Sequence, residues 1–263
     1  MGRARPGDAL RRLRRSPLVA DAIPGRLRAL DLLLVLLALP LVLPLAALLA
    51  IAVFVDSPGP VLYRSRRIGC GGRPFDMLKL RTMKRDAVGP PLSASGDERY
   101  TPLGRTLASS RLDELPQLWN VLRGDMRLVG PRPELEEFVR AFPAEYERIL
   151  AVPPGLTGPA QVAYAWEGET LAVAQAVDRA RVYRESILPY KVAIDMAYAQ
   201  RHTVMGDAML VLRTLMLPAV RLTLALGVEP GGRAMARLTP AIGLIAGVVA
   251  LAGLMAAEAA APV

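Results

Sequence analysis

Two adjacent acids, Asp113 and Glu114, begin a segment whose apolar residues recur at helical spacing. A carboxylate in such a place can act as a nucleophile, as a ligand for a divalent cation or as a general base. The competing interpretation is an N-cap, because an aspartate before an apolar helix accepts hydrogen bonds from free backbone N–H groups and interacts favourably with the helix dipole. The pair alone leaves both interpretations open.

Three basic side chains favour the chemical interpretation. Lys79 and Arg81 lie in the segment 78–83, and Arg132 lies in a Gly-Pro-Arg-Pro turn whose prolines restrict the backbone around it. Lysine is rare in this chain, which otherwise uses arginine. Two acids for a divalent cation, with lysine and arginine for phosphate oxygens, suit the handling of a diphosphate. For Arg132, a surface ion pair is the alternative.

Few other residues could carry catalysis. Cys70 is the only cysteine and His202 the only histidine, which excludes an intrachain disulfide and a zinc site built from several Cys and His ligands. A Ser-His-Asp triad would depend on His202, whose neighbours form no nucleophile motif. If the chain is an enzyme, its chemistry therefore uses carboxylates, arginine and lysine.

The formal net charge of +9 indicates an anionic partner, which could be nucleic acid, anionic lipid or a phosphorylated substrate. Aromatic residues make up only 5% of the chain and no groove-reading motif occurs, so no nucleic-acid partner is expected. A non-enzymatic membrane scaffold that binds anionic lipids is the alternative to an enzyme. It explains the charge and the apolar segments, but not the Asp-Glu pair or the Gly-Pro-Arg-Pro turn.

The uncharged segment 32–55 is long enough, at about 1.5 Å per residue, to cross a bilayer core of roughly 30 Å as a straight helix. Pro40 and Pro44 each remove a backbone hydrogen bond and favour a bend. Arginine and lysine crowd both flanks, 1–30 and 61–85, and such residues favour the cytoplasmic side. A kinked single-pass anchor and a re-entrant hairpin both stay open, and only the hairpin keeps both flanks on one side.

Two short strands, at 61–63 and 75–80, are expected to pair as a β-hairpin through a glycine-rich turn at 69–72. Apolar spacing predicts a short helix over 113–122, with Gly124 as its C-cap. Lys79 and Arg81 lie in the segment at and just after the end of the second strand.

The rest of the chain is predicted to be mostly helical. We expect a loop at 87–97, a helix over 136–150 and mainly helical structure over 171–217. The apolar segment 209–226 contains arginines that could snorkel, which suits a helix lying in the membrane interface. A second apolar stretch, 238–257, fits either a terminal membrane helix or an interfacial tail.

Several motifs extend over the chain from about residue 31 to residue 215. The longest block, 112–134, contains Leu-Asp-Glu-Leu-Pro-Gln-Leu-Trp-Asn and Gly-Pro-Arg-Pro-Glu. Others are Ser-Pro-Gly-Pro-Val at 57–61, Lys-Leu-Arg-Thr-Met at 79–83 and Pro-Gly-Leu-Thr-Gly at 154–158. On these motifs the sequence resembles the bacterial sugar transferase family, the monotopic phosphoglycosyl transferases that start glycoconjugate synthesis.

The resemblance implies an α+β, mostly helical fold. It would contain a re-entrant membrane helix hairpin bent at Pro40 and Pro44, a small β-hairpin and interfacial amphipathic helices around a cytoplasmic active site. We therefore divide the chain into four parts: a basic N-terminal segment, the re-entrant helix, the catalytic domain and an apolar C-terminal tail, at residues 1–30, 31–55, 56–222 and 223–263.

The resemblance also implies a two-step reaction. Asp113 would attack the sugar-linked phosphate of a UDP-sugar and release UMP, and undecaprenyl phosphate would then take the phosphosugar from the aspartyl intermediate. Glu114, together with Asp113, would hold Mg²⁺, and Lys79 and Arg132 would bind phosphates, as is expected of Arg81 from its place in the same motif. The product would initiate an exopolysaccharide or another glycoconjugate.

Some positions depart from the family pattern. Leu43-Pro44 stands where Ser-Pro is frequent, and Ala108 replaces a frequent arginine that Arg111 could compensate for. Arg111 and Gln161 are candidate substrate-binding residues. The segment 158–167 also differs from the common pattern in a region that could select the nucleotide sugar.

The expected location is the bacterial inner membrane, with the catalytic domain facing the cytoplasm. The expected partners are a UDP-sugar, undecaprenyl phosphate and membrane lipids, and a homodimer is a further prediction.

Overall fold

The computed structural model describes residues 25–165, 167–172 and 178–225. Within these ranges the chain is mostly helical, with two small two-stranded sheets. The expected fold class is therefore confirmed at this level. The basic segment before residue 25 and the predicted apolar stretch at 238–257 lie outside the described residues.

The first element, α1 (Gly25–Asp56), is a 32-residue helix that contains Pro40 and Pro44. The helix continues through both prolines, and it begins at Gly25, before the predicted start at residue 31. In the part of the chain that the structure describes, only Leu27–Asp56 is long and apolar enough to cross a membrane. Most of its large apolar side chains are exposed, as expected for a helix surrounded by lipid.

Both ends of α1 nevertheless contact the rest of the protein. Near its start, Val35 is buried against Met77 and Val121. Near its end, Val53 is buried in a separate cluster with Leu80 and Leu107. The exposed middle of the helix thus lies between two packed regions.

The predicted hairpin is present as β1 (Leu62–Ile68) and β2 (Pro74–Leu80), which pair antiparallel with Leu62 opposite Leu80. A 3₁₀ turn at Cys70–Gly72 joins them, and its Gly71 and Gly72 have positive φ angles. Glycine adopts this left-handed conformation without steric cost, which explains the glycine-rich turn.

The acids lie between two helices, α2 (Pro102–Ser110) and α3 (Gln117–Arg123). The predicted helix over 113–122 is divided, because a 3₁₀ turn at Leu112–Glu114 ends before Pro116 and α3 begins only after it. Gly124 ends α3 with φ 88°, so its predicted role as C-cap is confirmed.

A parallel pair of three-residue strands, β3 (Arg127–Val129) and β4 (Gly155–Thr157), was not foreseen. A β-carbon on Gly155 would lie 2.0 Å from the backbone nitrogen of Gly130, so any side chain there would separate the two strands. This close approach places the Gly-Pro-Arg-Pro turn beside the segment that follows β4.

Between these strands, the predicted helix over 136–150 is divided into α4 (Glu136–Ala141) and α5 (Pro143–Ile149), because Pro143 starts a new helix. The remaining helices bear out the mainly helical prediction for 171–217. These helices are α6 (Pro159–Ala163), α7 (Glu167–Ala172), α8 (Arg179–Val182), α9 (Leu188–Arg201) and α10 (Val204–Ala225). A π-helical turn at Tyr183–Ile187 joins α8 to α9.

Candidate active site

Asp113 and Glu114 lie in the 3₁₀ turn between α2 and α3. They are only 6% and 8% exposed. Neither α3 nor the 3₁₀ turn has a side-chain capping hydrogen bond at its start, and the N-cap position of α3 is Pro116. The alternative that Asp113 serves as a helix cap is therefore wrong, and two buried acids need another explanation.

Arg111 sets the direction of this turn. Its φ of 58° is the only positive φ among the non-glycine residues of the described ranges. Such a conformation is uncommon for a residue with a β-carbon and persists only where the surrounding structure enforces it. Here it ends α2 and starts the 3₁₀ turn at once, so the two acids follow directly.

Two of the predicted phosphate ligands converge on Glu114. Lys79 Nζ lies 3.1 Å from Glu114 Oε1, and an Nη of Arg132 lies 2.9 Å from the same oxygen. The hairpin delivers Lys79 from β2, and the turn after β3 delivers Arg132. Asp113 is held more loosely, with its Oδ2 atom 3.9 Å from Lys79 Nζ.

The two adjacent carboxyls differ in electrostatics. Burial raises the pKa of Asp113 to about 6, and the nearby charge of Lys79 only partly offsets this effect. Burial also favours the neutral form of Glu114, but the charges of Arg132 and Lys79 outweigh it and set its pKa well below the ordinary value. Glu114 is thus a fixed anion, whereas the charge of Asp113 is only weakly compensated.

A cavity of about 240 Å³ opens in front of these groups. Asp113, Glu114, Lys79 and Arg132 all line it, as do the two candidate substrate-binding residues, Arg111 and Gln161. The structure therefore brings six of the predicted site residues to one cavity.

Arg81 is not among the residues that line this cavity. Its guanidinium donates a hydrogen bond to the carbonyl oxygen of Ser57, just after the end of α1. A phosphate-binding role for Arg81 stays a prediction, and its hydrogen bond ties it to the residue that follows α1 instead.

Sequence reasoning missed a buried network behind the cavity. Glu134 accepts a 2.6 Å hydrogen bond from the hydroxyl of Tyr183, and lies 3.5 Å from Lys191 and 3.6 Å from Arg67. Lys191 also binds Glu167 at 2.8 Å, and both of these residues line the cavity. The rarity of lysine was a usable signal, because Lys191 belongs to the same small set as Lys79.

Asp195 is a second missed residue. It is buried on α9, and its Oδ1 atom has no hydrogen-bond partner within the described residues. Burial raises its pKa to about 7 despite the nearby charge of Lys191. Asp195 is therefore a buried acid whose environment favours its neutral form.

The carboxylates suit a hard divalent cation. Mg²⁺ is usually held by one or two carboxylates together with substrate phosphates and water, and Asp113 and Glu114 supply two such groups at the cavity wall. Among the described residues, no group of three or more His, Cys, Asp or Glu side chains could hold a metal by itself. The donor set therefore fits a cation that is bound together with its phosphate substrate.

Acids and fixed cations around one cavity suit the binding of phosphate groups. A comparison with protein families matches residues 25–220 to the bacterial sugar transferase family. The chain belongs to this family and is therefore a transferase.

Individual relatives support the same assignment. A UDP-glucose:undecaprenyl-phosphate glucose-1-phosphate transferase of Caulobacter vibrioides is 41% identical over 203 residues, which cover 75% of this chain and 71% of the relative. A UDP-N-acetylgalactosamine-undecaprenyl-phosphate N-acetylgalactosaminephosphotransferase of Aeromonas hydrophila is 34% identical, over 72% of this chain and 42% of the relative. A UDP-glucose:undecaprenyl-phosphate glucose-1-phosphate transferase of Escherichia coli is 38% identical, over 64% of this chain and 37% of the relative.

Proposed function

We propose that this protein transfers a sugar-1-phosphate from a UDP-sugar to undecaprenyl phosphate through a covalent intermediate on Asp113. The observation that carries the proposal is the weakly compensated carboxylate of Asp113 at the cavity wall, beside the fixed charges of Glu114, Lys79 and Arg132. The names of the three relatives support the donor and acceptor classes.

In the first step, a carboxylate oxygen of Asp113 attacks the phosphorus that carries the sugar. A new oxygen–phosphorus bond forms, the bond to the bridging oxygen of the diphosphate breaks, and UMP leaves with that electron pair. Lys79 and Arg132 would neutralise charge on the diphosphate, as fixed cations do in phosphoryl transfer. Weak compensation of the charge on Asp113 favours its use as the nucleophile.

In the second step, a phosphate oxygen of undecaprenyl phosphate attacks the phosphorus of the aspartyl phosphosugar. The bond to Asp113 breaks, the carboxylate is restored as an anion, and the lipid-linked diphosphate sugar is released. Division into two steps avoids the direct encounter of a phosphate dianion with a diphosphate. Such a product would begin an exopolysaccharide or another glycoconjugate.

Asp113 and Glu114 would hold Mg²⁺ when it is bound, and the cation would supply positive charge for the phosphate oxygens. Within this chain, Lys79 and Arg132 keep Glu114 ionised and in place.

We further propose that α1 is re-entrant and keeps the catalytic domain on the cytoplasmic face of the inner membrane. Near its start, Arg28 donates to the carbonyl of Val121, and Asp31 forms a 2.9 Å ion pair with Arg127. At its end, Val53 is buried beside Leu80. Because one domain binds both ends, ends on opposite faces would require that domain to cross a bilayer core of roughly 30 Å.

The catalytic proposal is tested with membranes that contain the full chain, a panel of UDP-sugars, Mg²⁺ and undecaprenyl phosphate. We expect UMP release with at least one donor, and a loss of more than about a thousandfold in Asp113→Asn. Intact mass spectrometry with donor alone should detect the phosphosugar adduct on the wild-type protein only. Normal turnover by a folded, membrane-bound Asp113→Asn protein would contradict the nucleophile assignment.

Topology is tested by thiol labelling in a Cys70→Ser background. Single cysteines introduced as Arg12→Cys and Arg66→Cys should react from the same side of sealed membrane vesicles. Reaction from opposite sides would refute the re-entrant arrangement and favour a single-pass anchor.

A further inference from the structure

A second cavity, the apolar groove, lies directly beside the catalytic cavity and has a volume of about 280 Å³. It is bounded by the 3₁₀ turn and α3, by β4 and α6, and by α10. Its apolar lining comes from these residues: Leu112, Leu115, Leu118, Leu156, Val162, Leu215 and Leu217. The groove therefore differs from the catalytic cavity, whose lining is rich in charged groups.

The two cavities share part of their walls. Arg111, Glu114 and Gln161 line both of them. Gln161 is 6% exposed, and its side-chain carbonyl oxygen has no hydrogen-bond partner within the described part of the protein. A ligand in the groove would thus meet one apolar region and, at one end, a polar junction that contains the cation of Arg111.

Helix α10 relates the position of the groove to the lipid interface. One wall is α10, where a hydrogen bond between the hydroxyls of Thr157 and Thr214 fixes the helix against β4. The opposite side of α10 carries exposed apolar residues, among them Leu212 and Met216. A helix of this kind suits the lipid interface, so the groove lies between that interface and the catalytic cavity.

We infer that the apolar groove binds the isoprenoid units next to the phosphate of the acceptor, with the acceptor phosphate at Arg111. This inference rests on the proposed function, because it assigns the acceptor part of the same site. A single ligand of this class joins an apolar chain to a phosphate. This matches the order of apolar groove, polar junction and nucleophile, where Arg111 supplies a cation beside the carboxylate of Glu114. A volume of 280 Å³ is at the low end for small-molecule sites, so it holds only the first units of a long polyprenyl chain.

The test compares the same substitution at two exposed leucines of α10. Leu215 lines the groove and is 67% exposed, whereas Leu212 is 52% exposed and is not part of the lining. For Leu215→Gln we expect an increase of about tenfold in the KM for undecaprenyl phosphate, because an apolar contact is lost. Leu212→Gln should change that KM by less than about twofold, because a single exposed apolar position away from the groove contributes little.

The donor half-reaction separates this inference from the proposed function. With donor alone, a single-turnover measurement reports UMP release and adduct formation without any acceptor. If the inference holds, the defect of Leu215→Gln appears only when undecaprenyl phosphate is added. If wild-type protein gives no UMP with any donor, the proposed function itself fails. Equal KM values for the two variants would overturn the groove assignment while leaving the reaction intact.

A photoreactive polyprenyl phosphate with its reactive group on the first isoprene units gives a second measurement. We expect crosslinks to peptides that contain Leu156 or Leu215, and competition by unlabelled undecaprenyl phosphate. Equal competition by a diacyl phospholipid would assign the groove to membrane lipid. A crosslinked species of twice the chain mass, in place of labelled monomer, would assign it to a second copy of the chain. Either result would overturn the inference.

Discussion

Two clusters of buried acids and cations lie near Arg132. The catalytic cluster contains Asp113, Glu114 and Lys79, and the rear cluster contains Glu134, Tyr183, Lys191 and Arg67. In the catalytic cluster, Asp113 lies 3.9 Å from Lys79 Nζ, and burial raises its pKa to about 6 despite the charges of Lys79, Arg132 and Arg111. In the rear cluster, Glu134 has three partners within 3.6 Å. Burial favours the neutral form of Glu134 too, but the charges of Lys191 and Arg67 outweigh it and lower its pKa.

The difference shows how one set of residue types can either hold a structure or carry a reaction. Breaking a fully paired buried cluster leaves uncompensated charge, so its members contribute mainly to stability. A carboxylate with incomplete pairing at a cavity wall can still accept a new bond. We therefore expect substitutions in the rear cluster to lower stability and those in the catalytic cluster to lower activity.

The largest contrast should come from the same substitution in both clusters. Lys191→Met leaves Glu134 buried with fewer partners, and we expect a loss of about 3–5 kcal/mol in the free energy of unfolding. Lys79→Met leaves Glu114 with Arg132 as a close partner, so we expect a smaller stability loss, about 1–2 kcal/mol, but a loss of UMP release of about a hundredfold or more. Thermal unfolding in detergent and a single-turnover assay check the two expectations.

Equal stability losses in the two lysine variants would erase the distinction between the clusters. So would a Lys191→Met protein that unfolds like the wild type.

A substitution of Arg132 should lower activity less than Lys79→Met does, because lysine can replace arginine without loss of the positive charge. Arg132 forms a 2.9 Å ion pair with Glu114, and a lysine at that place lacks the planar group with several donors. For Arg132→Lys we expect about a hundredfold loss in kcat/KM for the UDP-sugar. Arg140→Lys, at an exposed ion pair, is the matched control and should stay within about twofold of wild type. Near-normal activity of Arg132→Lys would mean that charge alone matters at this position.

The smallest expected effect concerns Asp195 and pH. Its pKa is about 7 in the folded protein, above the value of about 3.9 expected in the unfolded chain. Between these values the folded state binds a proton that the unfolded state has lost, so this group makes stability fall as pH rises from about 4 to 7. Asp195→Asn should flatten that part of the dependence, and its unfolding temperature should exceed that of wild type by a few degrees at pH 8.

Parallel pH profiles of unfolding temperature for wild type and Asp195→Asn would contradict this expectation. The comparison would then show that Asp195 is ionised in both states.

Local patterns predicted the local features of the fold well. The β-hairpin, the glycine turn and the C-cap at Gly124 follow from short-range spacing, and the structure confirms them. Helix divisions at Pro116 and Pro143 were missed because apolar spacing continues across both prolines. The pair β3–β4 was missed because strands of three residues show no periodicity, and their pairing depends on a close approach between distant glycines.

The residues of the candidate site also fall into those that local motifs predicted and those that depend on contacts between distant parts of the chain. Asp113, Glu114 and Arg132 stand in one motif block, so sequence found them, and Lys79 was found by its rarity. The partnership of Glu134 with Lys191 spans 57 positions, and no sequence spacing encodes it. Arg81 lies two positions after Lys79, and residues two apart point to the same face only while a strand continues. Because β2 ends at Leu80, Arg81 does not follow Lys79 to the cavity.

The ion pair between Asp31 and Arg127 has a consequence for the order of biosynthesis. The two residues are 96 positions apart, and Asp31 is almost fully buried in the finished protein. While the ribosome is still making the hairpin and the two helices that follow, the apolar helix carries a carboxylate whose partner does not yet exist. This helix can therefore take its final position only after the strand with Arg127 has been made. With α1 in the membrane as proposed, its insertion is coupled to the folding of the catalytic domain.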